Sequence, residues 1–266
     1  MRVLPYFVLL RPPLLVLGLV APLGLLRWSG KLGTLEGLLI LLTIFLSNAG
    51  FNVLNELRDV EVDRRKKPSK PLPSGRVSLR SAKMLTSALL ASSLPPAVLL
   101  SILSPRYAPM IVLGYTSGMI YNATRKDLVG NFFMGLAYGT ASLMCLHPMP
   151  EATIFSLAFA LFVVGHNVMN QVQDLEAERG LVVTVPMQIG VRGSLWLSRA
   201  LSFAALLLYS AILVATFKPS LGLMCSPPLC VITSTVRTDE KTIERLVRIA
   251  GRAFLLVAFL AMAFGS

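Results

Sequence analysis

Residues 55–75, NELRDVEVDRRKKPSKPLPSG, follow directly on the apolar run 38–54; they place an Asn and two Asp four residues apart, and six Lys or Arg follow by position 76. On an α-helix, positions i, i+4 and i+8 advance by about 40° per step, so Asn55, Asp59 and Asp63 share one face over about 12 Å. The stretch has an echo. Residues 170–179, NQVQDLEAER, repeat the spacing at an offset of 115, so that Asn170, Asp174 and Glu178 match Asn55, Asp59 and Asp63. Pro73 and Gly75 follow the first copy, Pro186 and Gly190 the second. One polar helix end is ordinary solvation, but the same pattern at the ends of two apolar segments points to a shared site.

The chain around these motifs has 266 residues, of which 55% are hydrophobic and only 14% charged, with a mean hydropathy of +0.70. An ordinary soluble domain carries about 25% charged residues, so the composition indicates an integral membrane bundle. Apolar stretches between polar breaks predict nine helices, over 12–28, 34–62, 79–103, 108–125, 129–147, 152–178, 191–217, 219–236 and 244–264. Cys225-Ser226-Pro227-Pro228 interrupts the eighth. The opening mimics a signal peptide, but Arg11-Pro12-Pro13 divides its apolar core, and a first span is the better reading. With the N-terminus inside, 20 Lys and Arg fall on that face and four on the other, with Arg58 inside the motif. The asymmetry predicts nine spans with the N-terminus and the motif-bearing connections cytoplasmic. Four helices separate the two motifs, so both end on one face. The expected fold is therefore an all-α membrane protein of one domain, 1–266, with two parallel four-helix repeats (about 1–126 and 127–236) plus a ninth helix at 244–264.

A net charge of +12 suits an anionic membrane surface or a phosphate-bearing substrate. Nucleic acid is excluded because no soluble domain presents a basic face. The three cysteines give neither a disulfide framework nor metal-ligand spacing. Four carboxylates brought to one interface repel unless cations lie between them. The donors are all oxygen, which points to Mg²⁺ rather than Zn²⁺. Mg²⁺ shares its coordination with phosphate oxygens, so the implied substrate is a diphosphate, and the basic segment after the first motif would offset its remaining charge. For Arg65, Lys66 and Lys83 the plainer reading, that a basic loop sets orientation, is preferred. His166 reads as an interhelical hydrogen-bonder, His147 as a helix end, and Gly114-x3-Gly118 as close helix packing. No Ser–His–Asp or Cys–His arrangement is suggested.

Over nearly its whole length the sequence resembles the UbiA superfamily of intramembrane prenyltransferases. The resemblance is carried by Asn55-x3-Asp59-x3-Asp63 with KPSKPLPSG at 67–75, and by Tyr121-Asn122-Ala123-Thr124-Arg125-Lys126 with Gly130-Asn131 behind it. Asn170-x3-Asp174-x3-Glu178-Arg179 and the opening Arg11-Pro12 complete it. It implies nine spans around a central cavity and Mg²⁺-dependent transfer of a prenyl group from an isoprenoid diphosphate through an allylic cation. By position, Asn55, Asp59, Asp63, Asp174 and Glu178 would hold the Mg²⁺, two ions being expected. Lys67, Lys70, Tyr121, Arg125, Lys126 and Asn170 would meet the diphosphate. Tyr115 or Tyr138 would offer a π-face to the cation, in a cavity that keeps water out. Two departures stand out: Glu178 where many members have Asp, and Arg125 in place of the Lys of the family's Tyr-x3-Lys pattern, with Lys126 as a substitute.

The strings at 67–75 and 121–131 look closest to archaeal members that alkylate geranylgeranylglyceryl phosphate with geranylgeranyl diphosphate. An aromatic acceptor, such as 4-hydroxybenzoate or a quinone precursor, stays open, and no protein partner is implied. From another class, membrane carboxylates also mark transporters of anionic or lipid cargo. Many of those have inverted repeats with binding at the midplane, whereas this repeat is parallel.

Overall fold

The computed structural model describes residues 4–124 and 126–217. Arg125 and the segments predicted as the eighth and ninth helices lie outside the described residues. Within them the order is α1 (Leu4–Leu9), α2 (Pro12–Trp28), α3 (Leu35–Arg58), α4 (Val60–Lys66), α5 (Leu79–Leu103), α6 (Ala108–Thr124), α7 (Leu128–Leu146), α8 (Ala152–Glu178) and α9 (Val185–Phe217). The seven expected helices in this range are all found, while the short α1 was not expected. Five helices, α3, α5, α7, α8 and α9, are long and apolar enough to cross a membrane.

Local chemistry sets the boundaries. Thr34, Ser78 and Asp127 cap α3, α5 and α7 by accepting from the backbone N–H of Gly37, Ser81 and Gly130 at 3.0, 3.0 and 2.6 Å. Pro12 opens α2, where its missing N–H costs nothing.

The helices pack as neighbours in chain order: α3 on α5, α6 on α7, α7 on α8 and α8 on α9, with α2 against α3 and α7. Small residues set the spacing. A Cβ at Gly118 would lie 2.7 Å from the Phe51 ring and one at Gly114 3.1 Å from Thr140 Oγ1, so α6 seats closely on α3 and α7 through the expected Gly114-x3-Gly118 step.

Two apolar clusters lie toward opposite ends. The larger joins Leu25, Leu26, Ile40, Leu100, Leu146 and Phe155. At its end, buried Lys31 donates to Tyr107 Oη at 2.7 Å and to the Met144 carbonyl at 3.3 Å, tying three connections together. The smaller cluster, Leu9, Val53, Val60, Leu72, Val77 and Ala82, pins α1 and the basic 67–78 segment onto α3, α4 and α5. That segment is thereby an ordered element of the fold as well as a run of charge.

Three backbone features aim the motif end. The predicted helix 34–62 does not run straight through. Asp59 ends α3 and precedes α4 with φ −85° and ψ 1°, the bridge conformation, although its N–H still bonds Asn55 O and its carbonyl accepts from Asp63 N. The spacing of Asn55, Asp59 and Asp63 is thus kept while α4 turns to lie against α8. Gly75 and Gly190, the glycines that follow the two motifs, have φ of 72° and 76°. Only glycine adopts these without strain, and Gly190 kinks α9 near its start.

Candidate functional site

The contact of α4 with α8 brings both motifs to one end of the bundle. At the first motif, Glu56, Asp59 and Asp63 are all buried, at 4%, 6% and 6% exposure. Lys70 donates to both Glu56 oxygens at 2.9 Å and to Asp63 Oδ2 at 2.7 Å. Arg11, from the opening Arg-Pro, ion-pairs with Glu56 and lies 3.7 Å from Asp59 Oδ2. With its amide oxygen turned toward Arg11, Asn55 accepts from Arg11 Nη1 and Nη2 at 3.0 and 3.2 Å.

At the second motif, Lys126 ion-pairs with the wholly buried Glu178 and lies 3.6 Å from Asp59 Oδ1, linking the two copies. Lys66 pairs with Asp174 across the α4–α8 contact, and Arg65 donates to the Arg179 carbonyl at 3.2 Å beside it. Asn170 is half-buried one turn before Asp174. Burial drives the ionisation here. It pushes the Asp63 carboxyl above its ordinary range against the pull of Lys70, raises Glu178 likewise against Lys126, and with neighbouring Lys67 lowers the Lys66 ammonium.

A polar network fixes the turn that carries Lys126. Asn131 Nδ2 donates to the Lys126 and Asp127 carbonyls at 3.2 and 2.7 Å, and its Oδ1 accepts from Asn167 and Gln171 at 2.8 and 3.3 Å. Gln171 Oε1 accepts from Val185 N at 3.1 Å, joining α8 to the start of α9.

The structure therefore gathers Asn55, Asp59, Asp63, Lys70, Lys126, Asp174 and Glu178. Tyr121, on the last turn of α6, interacts with the charge of Arg11. Two expected residues stand outside these ion pairs. Lys67 is exposed and joins none of them, one residue past the end of α4 at Lys66. Lys66, read from sequence as an orientation signal, takes the contact instead. Tyr115 donates to Ser93 on α5 at 2.5 Å and packs against Phe51. Tyr138, on α7, is edge-on to Phe159. Glu56, Lys66 and Gln171 were missed by sequence reasoning. An acidic residue inside the last turn of an apolar helix was the available signal for Glu56.

The carboxylates do not meet as a bare cage. Among the described residues, no three of His, Cys, Asp and Glu converge to hold a metal by themselves, because Arg11, Lys66, Lys70 and Lys126 lie among them. The donor set still fits Mg²⁺. It consists of hard oxygens, and Glu178 Oε2 is buried with no hydrogen-bond partner, an acceptor whose burial is uncompensated.

The sequence model of the UbiA prenyltransferase family matches residues 12–264. A digeranylgeranylglyceryl phosphate synthase from Methanocaldococcus jannaschii is 28% identical over 191 residues, 70% of this chain and 64% of that protein. The synthase of the same name from Methanothermobacter thermautotrophicus is 23% identical over 97% of this chain and 95% of its own. A solved structure from a study of digeranylgeranylglyceryl phosphate synthase in membranes aligns over 100% of both chains with a TM-score of 0.74 and 22% identity. A UbiA homologue from Archaeoglobus fulgidus, bound to DMAPP and Mg²⁺, aligns over 96% of this chain and 97% of that one with a TM-score of 0.67 and 18% identity. At these identities the structural likeness shows the fold.

Proposed function

This chain belongs to the UbiA prenyltransferase family, and from that premise we propose that it transfers a prenyl group from an isoprenoid diphosphate to a lipid acceptor within a membrane. Geranylgeranyl diphosphate is the proposed donor and geranylgeranylglyceryl phosphate the proposed acceptor. The names of the archaeal relatives support both. The observation that carries the reading is the docking of α4 on α8, which sets two oxygen-rich motifs and four cations at one end of an apolar bundle.

Asn55, Asp59, Asp63, Asp174 and Glu178 would hold Mg²⁺, with two ions proposed. Bound there, the metal would supply Lewis-acid stabilisation of the departing diphosphate. Arg11, Lys66, Lys70 and Lys126 would donate charge-assisted hydrogen bonds to the phosphate oxygens, which gain negative charge as the allylic C–O bond breaks. Tyr121 and Asn170 line the same end. Tyr115 or Tyr138 is the proposed π-partner of the prenyl cation. The apolar helices keep water from that cation until the acceptor hydroxyl attacks. The proposal includes nine spans, two parallel four-helix repeats plus one around a central cavity, and a cytoplasmic N-terminus and site. The 20-to-4 distribution of Lys and Arg supports that orientation.

The test is incubation of the purified protein, in lipid nanodiscs with Mg²⁺ and geranylgeranyl diphosphate, with each acceptor class, and identification of the product by mass spectrometry. Digeranylgeranylglyceryl phosphate with diphosphate release is expected. A prenylated 4-hydroxybenzoate instead would replace the acceptor. No diphosphate release with any acceptor, together with cargo flux into vesicles, would replace the enzyme reading with a transporter.

A further inference from the structure

Glu56 is a buried carboxylate that the mechanism above leaves without a task. It lies three residues before Asp59 and seven before Asp63, on the same side of the helix. Both its oxygens accept from Lys70 at 2.9 Å, and it ion-pairs with Arg11. Each of those cations also faces a motif carboxylate: Lys70 reaches Asp63 at 2.7 Å, and Arg11 Nη2 lies 3.7 Å from Asp59. Glu56 thus stands behind two cations shared with the proposed metal ligands. Arg11 also has φ 54° and ψ 70°, the one non-glycine residue with positive φ among the described residues. A left-handed arginine persists only when its surroundings hold it, and Glu56, Asn55 and Asp59 are the groups its guanidinium meets.

We propose that Glu56 is a positioning residue for the diphosphate site: it keeps the Arg11 guanidinium and the Lys70 ammonium in place when Asp59 and Asp63 turn to the metal. The inference rests on the prenyl-diphosphate reading above. A lysine has a long flexible stem, and an arginine in a strained backbone conformation has an unstrained alternative. Both lose a motif-carboxylate partner if Asp59 and Asp63 are engaged elsewhere. Glu56, held at 4% exposure one turn inside the end of α3, is the anion that stays. The cations then present their remaining N–H groups to phosphate oxygens without first having to be ordered.

The test is the affinity of inorganic pyrophosphate for the full-length protein in detergent with Mg²⁺, measured by calorimetry, with steady-state kinetics beside it. Glu56→Gln keeps the shape and removes the charge. It is expected to weaken pyrophosphate binding about tenfold, the scale of one lost charge-assisted contact, and to raise KM for the prenyl diphosphate while leaving kcat within about twofold. In a Lys70→Met background, adding Glu56→Gln is expected to cost clearly less than it does alone, because one of the cations it positions is gone. Unaltered affinity in Glu56→Gln, or effects that simply multiply with those of Lys70→Met, would overturn the inference. If Glu56→Gln does not fold, Glu56→Asp carries the test, with weaker pyrophosphate binding expected and wild-type affinity overturning the idea. Failure of the unsubstituted protein to bind pyrophosphate or prenyl diphosphate at all would instead sink the functional reading on which this one rests.

Discussion

At the first motif the chain bends at Asp59, and Glu56, Asp59 and Asp63 meet Lys70, seven residues beyond Asp63, and Arg11, 45 residues before Glu56. At the second, α8 runs unbroken to Glu178, and the cations on Asp174 and Glu178 are Lys66 and Lys126, from well before it in the chain. The cation that follows the second motif directly, Arg179, is mostly exposed and pairs with Glu176 at 3.8 Å. The first copy is thus balanced by one cation from its own following segment, Lys70, and one from far away, Arg11, whereas both cations of the second copy come by tertiary contact. The second copy becomes a site only once α4 and the α6–α7 turn are docked on it.

The sharpest way to break this comparison is to remove one carboxylate from each copy. Asp59→Asn and Asp174→Asn should each lower product formation by about a hundredfold or more, beyond the loss typical of a supporting partner. A large loss in one and near-normal turnover in the other would mean that the copies are not one site. Next comes Lys126→Met, which leaves Glu178 buried and uncompensated. Chemical denaturation in detergent should show a loss of about 3–5 kcal/mol, most of it regained in Lys126→Met/Glu178→Gln. No recovery in the double variant would place the role of Lys126 elsewhere.

Lys66→Met sharpens the contrast within the second copy. Both partners of that pair are about one-third exposed, at 32% and 29%. Thermal unfolding should therefore move by no more than about 1 kcal/mol equivalent, while KM for the prenyl diphosphate rises. The smallest effect concerns the first copy without metal. Burial raises the Asp63 carboxyl above its ordinary value, so the folded protein holds that proton more firmly than the unfolded chain does. The cost of its charge is fully present above the folded pKa and vanishes as pH falls below the unfolded one. Asp63→Asn should accordingly raise the unfolding temperature slightly in Mg²⁺-free buffer at neutral pH and leave it unchanged in acid. A fall at neutral pH would mean that the Lys70 contact outweighs burial.

Much of the site was legible from spacing alone. Asp59, Asp63, Asp174 and Glu178 declared themselves by an i, i+4, i+8 pattern repeated at apolar helix ends, and Lys70 and Lys126 by lying in the adjoining basic strings. The choice between Lys66 and Lys67 was not legible. Neighbouring helical residues point about 100° apart, and which of them meets α8 depends on where α4 stops. Glu56 was hidden for a related reason: as one charge at a helix end it looks solvated, and only the packing of the 67–78 segment, through Leu72 and Val77, against Leu9, Val53 and Val60 buries it beneath Lys70.

The sequence by itself determined the helical segments within the described residues, the paired oxygen motifs and the excess of cations beside them, because periodicity and composition are properties of the chain taken locally. The tertiary structure alone decided which cation answers which carboxylate. An ion pair depends on distances of a few ångströms between groups far apart in the chain, 52 residues for Lys126 and Glu178, and those distances exist only after the helices have packed.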